Sequence, residues 1–344
     1  METIALDVMG GDRGPDEIAR GAFEAAAEYG VRVALIGPSE VLRFQLSRKE
    51  ILGAQVVPVP ASQVVGMSEP PTDAWRAKKD SSIAVGTRLV KEGQASAFIS
   101  AGNTGAIVTA SHFTLGTMEG IERPAIATLY TTTANRVAIT LDIGANVDCR
   151  PSFLAPFARL GREFMAKVLK VERPRVALLS NGSEESKGTR MVREAHKLLR
   201  ESDLNFIGNI EGYDIHGGIA DVVVTDGFTG NVVLKLAEGL TEAIFAALKD
   251  ALGGHPPARA SKFLWGPSIM SVVKQWDYSN IGGAPLLGVN GNVIMAHGRS
   301  DATDIKHAIA LAVQMVREGW WQAPSPRNLP ADSPHLTRQE SQIR

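Results

Sequence analysis

Short β-branched runs alternate with helix-length amphipathic runs along most of this chain, and that alternation limits the available folds more than any other feature. TIALDV at 3–8 reads as a buried strand and leads through a glycine-rich loop into a helix from Pro15 to Tyr29. Pro15 suits the first helical position and Gly30 the residue past the end. VRVALIG at 31–37 and AQVVPV at 54–59 are further strands, followed by a helix near 80–92, a strand at 96–100 and a helix through 104–115. AIATLY and RVAITLDIG read as adjacent strands. After them come a helix over 152–169, a strand at 175–180, a helix over 187–200, and strands at 205–210 and 221–226. Such repetition predicts an α/β fold built on a mostly parallel sheet with helices on both faces.

Two segments break the pattern. Residues 227–282 are too long for an ordinary crossover, and 240–280 read as a helical excursion facing a membrane or a dimer partner. From Ala323 the chain carries four prolines and no aromatic residue, the composition of a disordered tail over 323–344. The expected organisation is one catalytic domain over 1–322 followed by that tail.

Composition removes several function classes. The 36 Lys and Arg against 37 Asp and Glu leave a net charge of −1, without the bulk field that drives nucleic-acid binding. A single cysteine, Cys149, excludes an intrachain disulfide framework and any multi-cysteine metal site. Residues 1–12 lack the apolar core of a secretory signal. The stretch 95–118, free of Asp, Glu, Lys and Arg, is broken by Ser, Gly, Asn, Thr and His, whereas a membrane helix needs about 20 predominantly apolar residues. The chain reads as cytoplasmic.

Polar, glycine-rich clusters follow several strands, where open α/β sheets bind ligands. In the first, Asp7 to Pro15, the segment Gly10, Gly11, Asp12 and Gly14 lets backbone approach an anion ahead of a helix N-terminus. An ordinary strand–helix turn is the alternative. The second, Ser100, Gly102, Asn103 and Thr104, offers hydroxyl, amide and backbone donors suited to phosphate, or simply a helix cap by Ser100 or Thr104. Upstream, Arg76, Lys78 and Lys79 would steer an anionic substrate, or form a solvated face. The third runs from Asp142 through Asn146 to Arg150; its acids have no second carboxylate cluster to complete a metal cage. Cys149 within it reads as a small buried residue rather than a nucleophile, since no His lies near it in sequence. The fourth, Asn181 to Gly188, puts Lys187 at or near a helix start, where the helix dipole disfavours a cation unless an anion sits there too. The alternative is a surface lysine balanced by Glu184 and Glu185. The fifth joins Asp226, Gly227 and Asn231 to Lys235 one turn on, and a last one spans 277–291 before VIMAHG. There is no Walker loop, HExxH, G-x-S-x-G or full G-x-G-x-x-G. The residues imply an enzyme with anion-friendly loops and neither metal nor cofactor.

Taken in order, IALDVMGGDRGP, KKDSSI, SAGNTGA, GIERPA, LDIGANVDCRP, ESKGT, TDGFTGNVVLK and GGAPLLGVNG with IMAHG resemble the PlsX family of phosphate acyltransferases over about residues 2–318. The resemblance implies a three-layer α/β/α sandwich similar to isocitrate and isopropylmalate dehydrogenases and phosphotransacetylases. It implies formation of acyl phosphate from acyl–acyl-carrier-protein and inorganic phosphate, feeding bacterial phospholipid synthesis. It also implies a homodimer held peripherally at the inner face of the cell membrane, with a glycerol-3-phosphate acyltransferase downstream. By the same resemblance Lys187 matches the catalytic lysine and Asn231 the functional asparagine. One departure is Arg13, where the family pattern has His, which removes position 13 as a general base. Another is the lysine loop's opening, which is less acidic than the family's.

Inorganic phosphate is already an anionic nucleophile, so it needs positioning more than deprotonation. Lys187 and Asn231 at the developing thioester oxyanion, with backbone of 10–14 and 102–105 on phosphate, would suffice without an acyl-enzyme. In the excursion, Phe263, Leu264 and Trp265 lie among Arg259, Lys262 and Lys274, a pattern suited to an anionic lipid surface or to a buried interface. The rival activities are a short-chain acyl-CoA phosphotransacylase and a metal- and nicotinamide-dependent dehydrogenase. A non-catalytic membrane scaffold is the third alternative.

Overall fold

The computed structural model describes residues 1–47, 55–253 and 282–321. Strands are β1 (Thr3–Asp7), β2 (Arg32–Gly37), β3 (Val56–Pro60), β4 (Ala97–Ser100), β5 (Ala125–Thr131), β6 (Val137–Leu141), β7 (Val176–Leu179), β8 (Phe206–Ile210), β9 (Val222–Val224), β10 (Ala284–Leu287) and β11 (Val293–Met295). Helices are α1 (Pro15–Tyr29), α2 (Ser39–Leu46), α3 (Pro71–Ala77), α4 (Ser82–Lys91), α5 (Thr104–Leu115), α6 (Pro151–Lys167), α7 (Arg190–Arg200), α8 (Gly227–Gly253) and α9 (Ala302–Arg317).

The strands form one sheet in the order β3-β2-β1-β4-β11-β10-β5-β6-β9-β7-β8. Neighbours within β3-β2-β1-β4-β11 are parallel, as are those within β6-β9-β7-β8. Between the sets, β10 is antiparallel to both neighbours and β5 is antiparallel to β6. The two parallel sets therefore run in opposite senses. Among the described residues, seven of the ten neighbouring pairs are parallel, as a mostly parallel sheet requires, and the three antiparallel pairs make the sheet mixed. The reason is loop length. Residues 132–136 and 288–292 are too short for a crossover, which takes about a dozen residues or more, so they close hairpins.

Alternate residues serve opposite faces. Ile4 and Leu6 belong to one apolar core together with residues of α1, α6, α7 and α9, while Ala5 belongs to the other with residues of α4 and α5. In the second set Leu178 and Val222 join the first face, whereas Ala177, Leu179 and Val223 pack under the 3-10 turn at Gly212–Gly217. Two helical layers thus enclose the sheet, the α/β/α sandwich expected. The excursion begins as a direct continuation of α8; its remainder, with Phe263, Leu264 and Trp265, and the tail lie outside the described residues.

Candidate active site

Three adjacent strands, β1, β4 and β11, deliver the first group of loops to one edge. Asp7 ends β1 in full burial, accepting from Ser100 Oγ at 2.7 Å and from the Met9 N–H at 2.9 Å. Burial pushes its carboxyl above the ordinary range, against the pull of the Ser100, Ser82, Met9 and Gly10 donors. Ser100 in turn accepts the Gly102 N–H at 3.0 Å. A Cβ at Gly10 would lie 2.5 Å from the Gly102 nitrogen, so only glycine lets the two loops touch backbone to backbone. The Asp12 N–H donates to the Gly298 carbonyl at 2.6 Å, stitching in the loop after β11. Asn103 caps α5 through Oδ1, and its amide donates to the carbonyls of Gly66, Met67 and Glu69. Thr104 and Asp12 remain exposed. Lys79 lies over the Trp75 ring at 3.5 Å, while Lys78 is paired with Glu69.

The second group leaves β6, β9 and β7, again neighbours in the sheet. Asp142 is fully buried and accepts from the N–H groups of Ile126, Gly144, Ala145 and Asn146 and from Asn146 Nδ2. Burial raises its pKa despite those donors. Its lone pairs are used, so it shapes the loop as Asp7 shapes the first. Asn146 is spent between Asp142 and the Pro124 carbonyl. A Cβ at Gly227 would meet the Asn146 carbonyl oxygen at 2.4 Å, and Asp226 holds the next turn through Thr229. Asn231, one turn into α8, is exposed and donates through Nδ2 to the Ile143 carbonyl at 3.1 Å. Cys149 is half-buried on the Asn146 carbonyl, and burial pushes its thiol up to about 11.

Lys187 lies in the loop after β7, with α7 beginning at Arg190 and capped by Thr189. The lysine therefore precedes the helix by three residues, and the expected conflict with the helix dipole does not arise; α7's own first turn carries Arg190 and Arg193. Its stem crosses Gly182, where a Cβ would meet Cγ at 2.7 Å. Lys187 is exposed and in no ion pair among the described residues; Glu185 is instead held bidentately by Arg200 at 2.7 Å.

Helix α8 links the two groups. It starts at the Asp142 loop, and two turns on Lys235 Nζ comes within 3.4 Å of His297 Nε2, after β11. His297 Nδ1 accepts from the Arg299 N–H at 3.1 Å, which in the neutral ring leaves the proton on Nε2. Two N–H donors thus converge there, with Lys235 also bound to Glu238. His297, Asp7 and Gly182 lie within loops and motifs that the sequence marks out, but local pattern assigns them no role. The order of residues gives no sign that α8 spans from one loop group to the other. Among the described residues no cluster of His, Cys, Asp and Glu could hold a metal ion.

The fold itself is that of phosphotransacylases. The chain superposes on a Streptococcus pyogenes phosphotransacetylase with TM-score 0.62 at 19% identity, covering 92% of this chain and 94% of that one. A 4-hydroxythreonine-4-phosphate dehydrogenase from Klebsiella pneumoniae aligns with TM-score 0.53 at 16% identity, over 92% and 100%. Sequence narrows the class. A family described as "Fatty acid synthesis protein" matches residues 2–323. Curated relatives named "Phosphate acyltransferase" share 46% identity over 92% of this chain and 91% of theirs in Dehalococcoides mccartyi, and 47% over 92% and 95% in Heliobacterium modesticaldum. The chain belongs to the PlsX family of phosphate acyltransferases.

Proposed function

We propose that this enzyme transfers an acyl group from acyl–acyl-carrier-protein to inorganic phosphate, supplying acyl phosphate for phospholipid synthesis. Placement carries the reading. Lys187 and Asn231 leave the neighbouring strands β7 and β9 at one edge, and α8 carries Lys235 from there to His297 and the phosphate-suited loops. A phosphate oxygen attacks the thioester carbonyl carbon, the carbonyl π electrons move onto oxygen, and collapse expels the thiolate, which takes a proton from solvent. Lys187 and the Asn231 amide stabilise the oxyanion. Backbone of Gly11, Gly14 and Thr104, with Lys79 and Lys235, holds phosphate, while Gly10 and Gly102, whose N–H groups are spent on Asp7 and Ser100, let the two loops meet. Ser100, Asn103, Asp142, Asn146, Asp226 and Gly227 keep those loops in shape, since their polar atoms or close approaches are already committed within the protein.

Homodimerisation accounts for α8's outer face. Phe228, Val232, Leu236, Leu240 and Ile244 are all more than half exposed, one turn apart. A strip about 24 Å long is one that a second copy buries isologously. Peripheral attachment to the inner membrane face rests on the composition around Phe263, Leu264 and Trp265, and the product would pass to a glycerol-3-phosphate acyltransferase.

The test is incubation with palmitoyl–acyl-carrier-protein and phosphate, without metal or nicotinamide, trapping acyl phosphate as its hydroxamate. Phosphate-dependent hydroxamate is expected, reduced about 10²–10³-fold in Lys187→Ala. Reaction of acetyl-CoA but not of the carrier-protein thioester would instead favour the short-chain activity, and no reaction with either would leave the scaffold reading.

A further inference from the structure

The Lys187 loop is exposed, yet one of its carbonyls is gripped from inside the protein. Asn209 on β8 is 6% exposed and donates through Nδ2 to the Glu184 carbonyl at 3.0 Å. The same carbonyl accepts the Lys187 N–H at 3.0 Å. Behind Asn209, its Oδ1 meets Nδ1 of buried His196 at 2.9 Å. Because the amide nitrogen must face a carbonyl, the oxygen faces histidine, and His196 carries its proton on Nδ1. The Phe206 ring packs against the imidazole in a T-shaped contact, with ring centroids 5.1 Å apart.

A backbone irregularity makes this possible. Val176 pairs with Phe206 and Leu178 with Asn209, so β8 carries one residue more than β7 over this step. Gly208 takes φ +100° there, a conformation that suits glycine. In a regular strand residues 206 and 209 would point to opposite faces. The bulge brings Phe206 and Asn209 onto the same histidine, the kind of re-aiming that bulges perform beside active sites.

We propose that Asn209 is a positioning residue for Lys187, oriented by His196 and aimed by the Gly208 bulge. The inference rests on Lys187 acting in catalysis as argued above. The chain His196 Nδ1–H, Asn209, Glu184 carbonyl and Lys187 N–H holds the lysine's backbone at a set distance from β8. Water cannot replace the buried amide, so its loss lets the loop drift. A displacement near 1 Å costs up to about 10²-fold in turnover without weakening substrate binding.

Asn209→Asp tests this. It keeps the side chain's shape but sets a carboxylate oxygen against the Glu184 carbonyl. Expected is a fall in kcat for acyl phosphate formation of about 10- to 100-fold, with both KM values within about twofold. In a Lys187→Ala background the same change should cost less than about threefold more, because its effect runs through the lysine. At His196, Asn supplies an N–H close to where Nδ1 sits and should keep activity within about threefold, whereas Leu should lose about tenfold. Full kcat in Asn209→Asp, or its full cost persisting without the lysine, overturns the proposal. If Asn209→Asp does not fold, the His196 pair decides, and equal activity of Asn and Leu overturns it. If Lys187→Ala is itself fully active, the catalytic assignment falls and this inference with it; an impaired Lys187→Ala beside a fully active Asn209→Asp sinks the inference alone.

Discussion

Cys149 shows how a residue's surroundings decide its chemistry. With the thiol pushed up to about 11, first by burial and then by Asp142, Asp226 and Asp148, little thiolate exists at neutral pH. Cys149→Ala should keep turnover within about twofold, and labelling by a thiol reagent should accelerate roughly tenfold per pH unit from 7 to 10. Fast labelling at pH 7 would contradict this account. The loop residues carry the matching lesson. Ser100, Asn103, Asp142 and Asn146 stand out in the sequence because they are polar and sit at strand ends. In the folded chain each finds its partner in the protein. A sequence displays donors and acceptors, but it does not say whether a ligand or the backbone will satisfy them.

At the scale of elements, strong patterns were readable and short ones were not. Helix α1 occupies the span its pattern indicates, Pro15–Tyr29, with Ile18, Ala22 and Phe23 on its buried face, whereas α2 and α3, with eight and seven residues, are too short for a decisive apolar face. Helix α9 lay within reach, because Asp301 and Asp304 form a capping box. The starts of β7 and β9 are locked by Arg175, whose guanidinium grips Asp221 at 2.8 and 2.9 Å while its N–H donates to the same carboxylate. Burial pushes Asp221 up, but the Arg175 bonds outweigh it and hold the carboxyl below its ordinary value. Its contribution is therefore complete above the unfolded pKa, near 3.9, and fades as pH falls through the lower folded value. Asp221→Ala should cost about 2 kcal/mol at pH 7 in denaturant titrations, with the gap to the parent narrowing below about pH 4. A pH-independent gap would refute the linkage.

For the whole molecule, the dimer prediction is the most direct. Leu240→Glu with Ile244→Glu should halve the mass seen by light scattering, because both lie on the exposed stripe far along α8 from Asn231. A parent that is already monomeric would remove this reading of the stripe. Separately, polar replacement of Leu264, Trp265 and Ile269 should release the protein from anionic vesicles, and unchanged binding would favour a buried interface for that segment. No helix among the described residues is long and apolar enough to cross a membrane.

The alternation of strands and helices, and hence the α/β class, followed from local periodicity, since each element must bury one face. Lys187 and Asn231, proposed above as the oxyanion pair, stand out in the sequence as members of ordered motifs. Tertiary structure alone decided the opposed senses of the two parallel sets. It also aimed the bulge that brings Asn209 under the lysine loop, and it set the reach of α8 from Ile143 to His297. These depend on pairings between residues far apart in the chain, for which local pattern carries no signal.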